Sequence, residues 1–318
     1  FSPKNKYYIW PAHIQVIFDT KSEFLYGITG PARFKTNSFG IRGEEPTSNT
    51  GIKIIAFGGS TTEDSYLDSS ETWCGVLQTR LEKSGVKEVW VGNAGKSGLS
   101  SRDIYLHVKY ALPHLPNPDL TLLMVGVNDF LQRLQEDKDW HPVNIEEIKN
   151  QEVRFNKAFF SLPWHIHPKY WTSISLIKST FINFIRKGYD PNQAGIELSK
   201  WRKWRSDASP YLMSLPDISD AILEYKKNLN LILDLLHDKK TKPILLTQPA
   251  LWKQNLDAEE EKLLWLGGIG DFQNRSVEKY YSAKSLRTGL DMFNSALLEV
   301  CAKRKIQCID IDPILGKN

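Results

Sequence analysis

The sequence has no run of about 18 apolar residues, so no stretch of it reads as a membrane-spanning helix. Cysteine is scarce. Cys74, Cys301 and Cys308 are spaced for neither a disulfide framework nor a metal site, and Cys74 and Cys308 read as core thiols that leave the redox compartment open. An excess of one charge is also missing, with 41 Lys and Arg against 37 Asp and Glu and a net charge of +4. No dense basic run carries interleaved aromatics, so nucleic acid is not an expected partner. There is no internal repeat and no low-complexity tract. The chain opens at Phe1 with neither an initiator methionine nor a signal-like segment, and is expected to be a processed or trimmed piece of something longer.

What remains is ordinary globular material. The 318 residues are 41% hydrophobic and 25% charged, enough to bury a core as one large domain or two small ones. Ten tryptophans, twelve tyrosines and fourteen phenylalanines hint at aromatic-lined surfaces.

The most informative stretch runs from Ile52 to Thr62. Ile54, Ile55, Ala56 and Phe57 suit a central strand of a parallel sheet, covered on both faces. Gly58 and Gly59 allow a sharp turn where a side chain would clash, and Ser60 follows. An amphipathic segment from Glu71 to Lys83 then carries Trp73, Val76, Leu77 and Leu81 at helical spacing. Such a unit sets a hydroxyl at the carboxyl edge of the sheet, where open α/β folds bind ligands.

The same rhythm recurs. A short strand from Glu88 to Val91 leads into Gly92–Gly98, and a helix is expected from about Ser100 to Leu112. A third strand, Leu120 to Val125, ends in Gly126-Val127-Asn128-Asp129. Strands alternating with helices at this spacing argue for a parallel sheet with right-handed crossovers. Residues 130–216 break the pattern and read as a helical insertion, a lid or cap on the sheet. Its apolar run through Ile174, Ile177, Phe181, Phe184 and Ile185 suits a core face, with a membrane-surface role as the alternative. The sheet pattern resumes with a helix at Ile222–Leu236, a strand at Lys242–Thr247, a helix at Ser285–Lys303 and a last strand at Ile306–Ile311. Residues 1–50 read as an aromatic, loop-rich arm packed on the sheet, and 51–318 as the α/β domain. Within the arm, Arg42 suits a surface ion pair, or else an anchor for an anionic group.

Ser60, Gly98 and Asn128 thus stand at three strand ends. A serine needs a base to become a nucleophile, and acyl transfer needs donors aimed at the developing oxyanion. The Ser60 and Gly98 N–H groups and the Asn128 amide would supply them. Each residue also has a plain structural role: Ser60 and Asn128 as helix caps, Gly98 as a turn.

At these residues the sequence resembles the SGNH (GDSL-type) hydrolase family. Gly58-Gly59-Ser60-Thr61-Thr62 is similar to the first family block, with glycine where the name-giving motif has aspartate. Gly98 matches the second block and Gly126-Val127-Asn128-Asp129 the third; Asn37 to Gly43 resembles the segment before block one in many bacterial members. The resemblance implies a flavodoxin-like three-layer α/β/α sandwich with a parallel sheet of about five strands. It also implies an esterase or acyltransferase acting on an acylated lipid or glycan through Ser60, Gly98 and Asn128. No cofactor and no metal is expected. The arm's likeness suggests a bacterial protein, exported or tethered at a membrane.

The departure lies in the last family block, an Asp-x-x-His after the final strand. Asp310-Ile311-Asp312-Pro313 is followed by five residues, none of them histidine. Asp234 and His237 have the spacing but fall at a helix C-terminus, where histidine suits the dipole. His107, four residues after Asp103, reads as a helix-face pair, and His165 with His167 lacks a third metal ligand. Two explanations stand: the sequence stops before the catalytic block, or the lineage lost it. Three functions follow: an ester hydrolase or acyltransferase, a non-catalytic protein that holds an acylated or glycan ligand, and a nucleotide-binding flavodoxin-like protein. The third has neither a P-loop lysine nor a G-x-G-x-x-G pattern to support it.

Overall fold

A computed structural model of the chain describes residues 9–18, 23–47, 50–148, 151, 171–173, 193–208, 210–271, 277 and 279–315. The chain begins with an antiparallel hairpin, β1 (Gln15–Phe18) and β2 (Ala32–Lys35), to which β6 (Trp171–Ser173) adds a third strand. The central sheet follows: β3 (Ile52–Gly58), β4 (Val89–Gly95), β5 (Leu120–Met124), β7 (Lys242–Leu246) and β10 (Gln307–Ile309). All its pairings are parallel and the spatial order is β10-β7-β5-β3-β4. Counted along the chain this is the 2-1-3-4-5 order of flavodoxin-like folds, with its switch point between β3 and β5. A two-stranded ribbon, β8 (Gly268–Ile269) and β9 (Lys279–Tyr280), lies apart from it.

Among the described residues the α-helices are α1 (Ser60–Glu63), α2 (Trp73–Lys83), α3 (Ser101–Leu106), α4 (Val127–Glu136), α5 (Gln193–Ser206), α6 (Ser219–Asp238), α7 (Ala258–Lys262), α8 (Ala283–Arg304) and α9 (Asp312–Leu315). Alternation along β3 sends Ile54 and Ala56 to one face, where Cys74, Leu77 and Leu81 of α2 cover them. Ile55 and Phe57 point to the other face, into the larger core with Tyr225 and Leu229 of α6 and Phe293 and Leu297 of α8. A fully buried Ile, Leu or Phe among them contributes about 1.5–3 kcal/mol, and the three-layer architecture follows.

Several expected boundaries move for local reasons. α2 starts at Trp73 because the Thr72 hydroxyl caps it, accepting from the Gly75 N–H at 3.1 Å. The helix expected to reach Leu112 ends at Leu106 and widens into a π-type turn over His107–Ala111, with Pro113 just beyond. The strand after α2 reaches Gly95, further than Val91, because β4 pairs with β3 along its whole length. The apolar run from Ile174 to Ile185 lies outside the described residues.

The first 50 residues contribute more than a loop-rich arm. Trp10 is fully buried and its indole N–H donates to the Gly95 carbonyl at 3.1 Å. Arg42 and Asn93 exchange backbone hydrogen bonds of 2.8 and 2.9 Å, covering the outer edge of β4. Cys308 is not the separate core thiol expected: the turn between α8 and β10 brings it against Cys301, with a Cα separation of 6.2 Å, and the two form a disulfide. Cys74 is free and buried. Among the described residues no helix is long and apolar enough to cross a membrane.

Candidate active site

Three adjacent strands deliver the three sequence-selected residues to one edge of the sheet. β3 ends at Gly58, Gly59 precedes α1, and Ser60 is the exposed first residue of that helix. The two glycines are required by close approach. A Cβ on Gly58 would collide with the Thr62 side chain and lie 2.7 Å from the Met124 carbonyl oxygen; one on Gly59 would lie 2.5 Å from Asn128 Nδ2. Beyond β4, Gly98 takes a φ of +82°, the left-handed region that glycine enters without strain. Beyond β5, Asn128 sits in the first turn of α4 and its Nδ2 donates to the Leu99 carbonyl at 2.8 Å.

Ser60, Gly98 and Asn128 line one cleft of about 810 Å³, with Asp64, Arg202 and Trp265 among its other walls. Among the described residues, neither the Ser60 N–H nor the Gly98 N–H has an acceptor, and one Asn128 amide hydrogen is left over after the bond to Leu99. Three donors of this kind around a serine can stabilise an oxyanion. The Ser60 hydroxyl itself has no partner among the described residues, and no described histidine lines the cleft. His13, His114, His141 and His237 are exposed, while His107 is buried in the π-type turn. Asp234, three before His237, pairs with Arg304 on the protein surface. Asp103 closes a capping box with Ser100 at the start of α3, so the spacing to His107 has a helix-capping use on the aspartate side. His165 and His167 lie outside the described residues. Among the described residues no cluster is placed to hold a metal ion.

A family model described as the GDSL-like lipase/acylhydrolase family matches residues 56–318. The chain belongs to that family. Among solved structures it is similar to AlinE4, an SGNH-hydrolase family esterase, at 16% identity over 83% of this chain and 77% of that one, with a TM-score of 0.40. It is similar to the acetyl xylan esterase AlAXEase at 14% identity, over 83% and 80% of the two chains, with a TM-score of 0.41. A member of the lipolytic G-D-S-L family from Veillonella parvula DSM 2008 gives 13% identity, the same two shares and a TM-score of 0.40. No curated protein matches the chain by sequence.

In this GDSL-like chain two buried side chains near Ser60 differ from the sequence reading, which gave Arg42 another role and did not mark Glu63. Arg42 is neither a surface ion-pair partner nor an anion anchor in the cleft. It is fully buried, and its guanidinium donates to the carbonyls of Glu63, Asp64 (2.6 Å) and Leu67 (2.6 Å) while lying 4.7 Å from the centre of the Phe34 ring. It fixes the chain that leaves α1. Burial lowers its pKa to about 10, against the raising influence of Glu63 and Asp64. Glu63 is also fully buried, and its Oε2 accepts from the Ser97 N–H at 2.9 Å and from the Ser97 hydroxyl. Asp64, on the cleft wall, has its carboxyl pushed up to about 6 by burial, with the Trp73 N–H and Arg42 opposing. No periodic signal marks such residues. The one clue is their position on either side of the glycine-serine turn.

Proposed function

We propose that this GDSL-like protein is a serine ester hydrolase or acyltransferase that acts on an acylated lipid or glycan through an acyl-Ser60 intermediate. Family membership supports an esterase-type hydrolase. The observation that carries the finer reading is that Ser60, Gly98 and Asn128, from the ends of three neighbouring strands, line the same cleft. In this reading Ser60 Oγ attacks the ester carbonyl carbon while its proton passes to a base. The carbonyl oxygen becomes an oxyanion held by the Ser60 and Gly98 N–H groups and the Asn128 amide. Collapse expels the alcohol, which takes the proton, and water or an acceptor hydroxyl then attacks the acyl-serine. No described histidine lines the cleft, so the reading calls for a histidine from outside the described residues, oriented by a carboxylate.

That same observation favours a second reading, a non-catalytic protein that holds an acylated or glycan ligand in the cleft. Hydrolysis of a series of p-nitrophenyl esters by the full-length protein and its Ser60→Ala variant separates the two. The enzyme reading expects turnover that falls by about 10³-fold or more in the variant. Absence of turnover, or turnover indifferent to Ser60, contradicts it.

A further inference from the structure

The turn that carries Gly98 is held from two sides. From the side of β5, Asn128 donates to the Leu99 carbonyl at 2.8 Å, and Asp129 accepts from the Ser101 N–H at 2.9 Å and from the Ser101 hydroxyl. From the side of β3, Glu63 accepts both the N–H and the hydroxyl of Ser97, the residue immediately before Gly98. Glu63 belongs to the same four-residue helix as Ser60. The nucleophile's helix and the Gly98 turn are therefore tied together by one carboxylate.

Gly98 is exposed and has no side chain by which packing could fix it. A Cβ built there meets nothing within 4 Å, and its φ of +82° lies in a region that glycine shares with many other allowed conformations. Hydrogen bonds to its neighbours must set where its N–H points. The Ser97 N–H lies in the peptide plane just before the one that carries the Gly98 N–H, so anchoring the Ser97 N–H and hydroxyl leaves only the Ser97 dihedrals between the brace and that N–H. Around Glu63 the fold leaves no slack: a Cβ on Gly95 would run into the Glu63 backbone N–H. Burying a carboxylate is costly unless it is paired and hydrogen-bonded, and here the charges of Arg42 and Lys96 lie within its influence.

We propose that Glu63 is a positioning residue, holding the Gly98 N–H on the side of the cleft where the oxyanion forms. The proposal rests on the reading of Ser60, Gly98 and Asn128 as the reacting constellation. It is tested on the full-length protein with Glu63→Ala, Glu63→Gln and Ser97→Ala, by amide hydrogen exchange over residues 96–99 and by kcat and KM on an ester substrate. Glu63→Ala is expected to speed exchange in the turn at least about tenfold and to lower kcat roughly 10–100-fold, as for a misplaced oxyanion donor, with little change in KM. Glu63→Gln keeps an acceptor for both Ser97 donors and restores most of each. If Glu63→Ala does not fold, Ser97→Ala, which removes only the hydroxyl bond, shifts both readouts the same way by a smaller factor. Turnover and exchange that ignore both sites overturn the proposal alone. A wild-type protein without turnover, but with exchange that depends on Glu63, overturns the acyl-transfer reading and leaves Glu63 as the brace of the turn.

Discussion

The Asn128 side chain approaches Gly59 so closely that a methyl group on that glycine would sit 2.5 Å from Nδ2. The residue before the serine and the asparagine beyond the neighbouring strand β5 therefore form one unit. Asn128→Ala is expected to lower kcat by about 10²–10³-fold, the usual cost of one oxyanion donor. Gly59→Ala should displace the same amide and lose a comparable part of that rate. Because both act on one group, the double variant should be little worse than Asn128→Ala, and a double-mutant cycle in kcat measures this. Additive losses would mean that Gly59 matters for another reason.

Arg42 makes a separate prediction about stability. Its guanidinium satisfies three backbone carbonyls in a fully buried site. Removing it leaves those acceptors and Glu63 without that partner, so Arg42→Ala should cost about 3–5 kcal/mol in urea unfolding. Arg42→Lys should recover little, since a single ammonium does not reproduce a planar fork spread over three carbonyls. Recovery by lysine to within about 1 kcal/mol of wild type would show that charge alone is needed there.

The buried His107 gives a prediction in pH. Burial, helped by the charge of Lys96, lowers its pKa from the ordinary 6.5 to about 3. Between those values the unfolded chain binds a proton that the native protein does not, so this contribution to stability is lost as pH falls from about 6.5 towards 3. Asp64, raised to about 6, runs the opposite way over part of the same window, so the comparison must be between wild type and His107→Gln. The variant should lose less stability on acidification than the wild type. Parallel curves from pH 7 to 4 would contradict a neutral His107, those bounds being roughly the window of the linkage.

The sheet was legible because its signal is local. Ile54 to Phe57 is an unbroken apolar run, and the glycines after it mark the turn; both follow from β3 lying between β4 and β5 with each face covered. Gly98 and Asn128 were readable as strand-end residues, and the family blocks supplied their grouping. The roles of Arg42 and Glu63 were not readable, because their partners lie 21 to 34 residues away and most are backbone groups. A charged side chain buried against backbone leaves no periodicity in sequence. The same holds for Cys308, whose pairing with Cys301 depends on how tightly α8 turns into β10.

The most direct test of the account is the intact mass of the full-length protein before and after treatment with a fluorophosphonate. An activated serine in a formed oxyanion site predicts a single adduct on the wild type, mapped to Ser60 and absent from Ser60→Ala. No adduct on a folded, full-length protein would contradict the acyl-Ser60 mechanism and leave the cleft as a ligand-holding site.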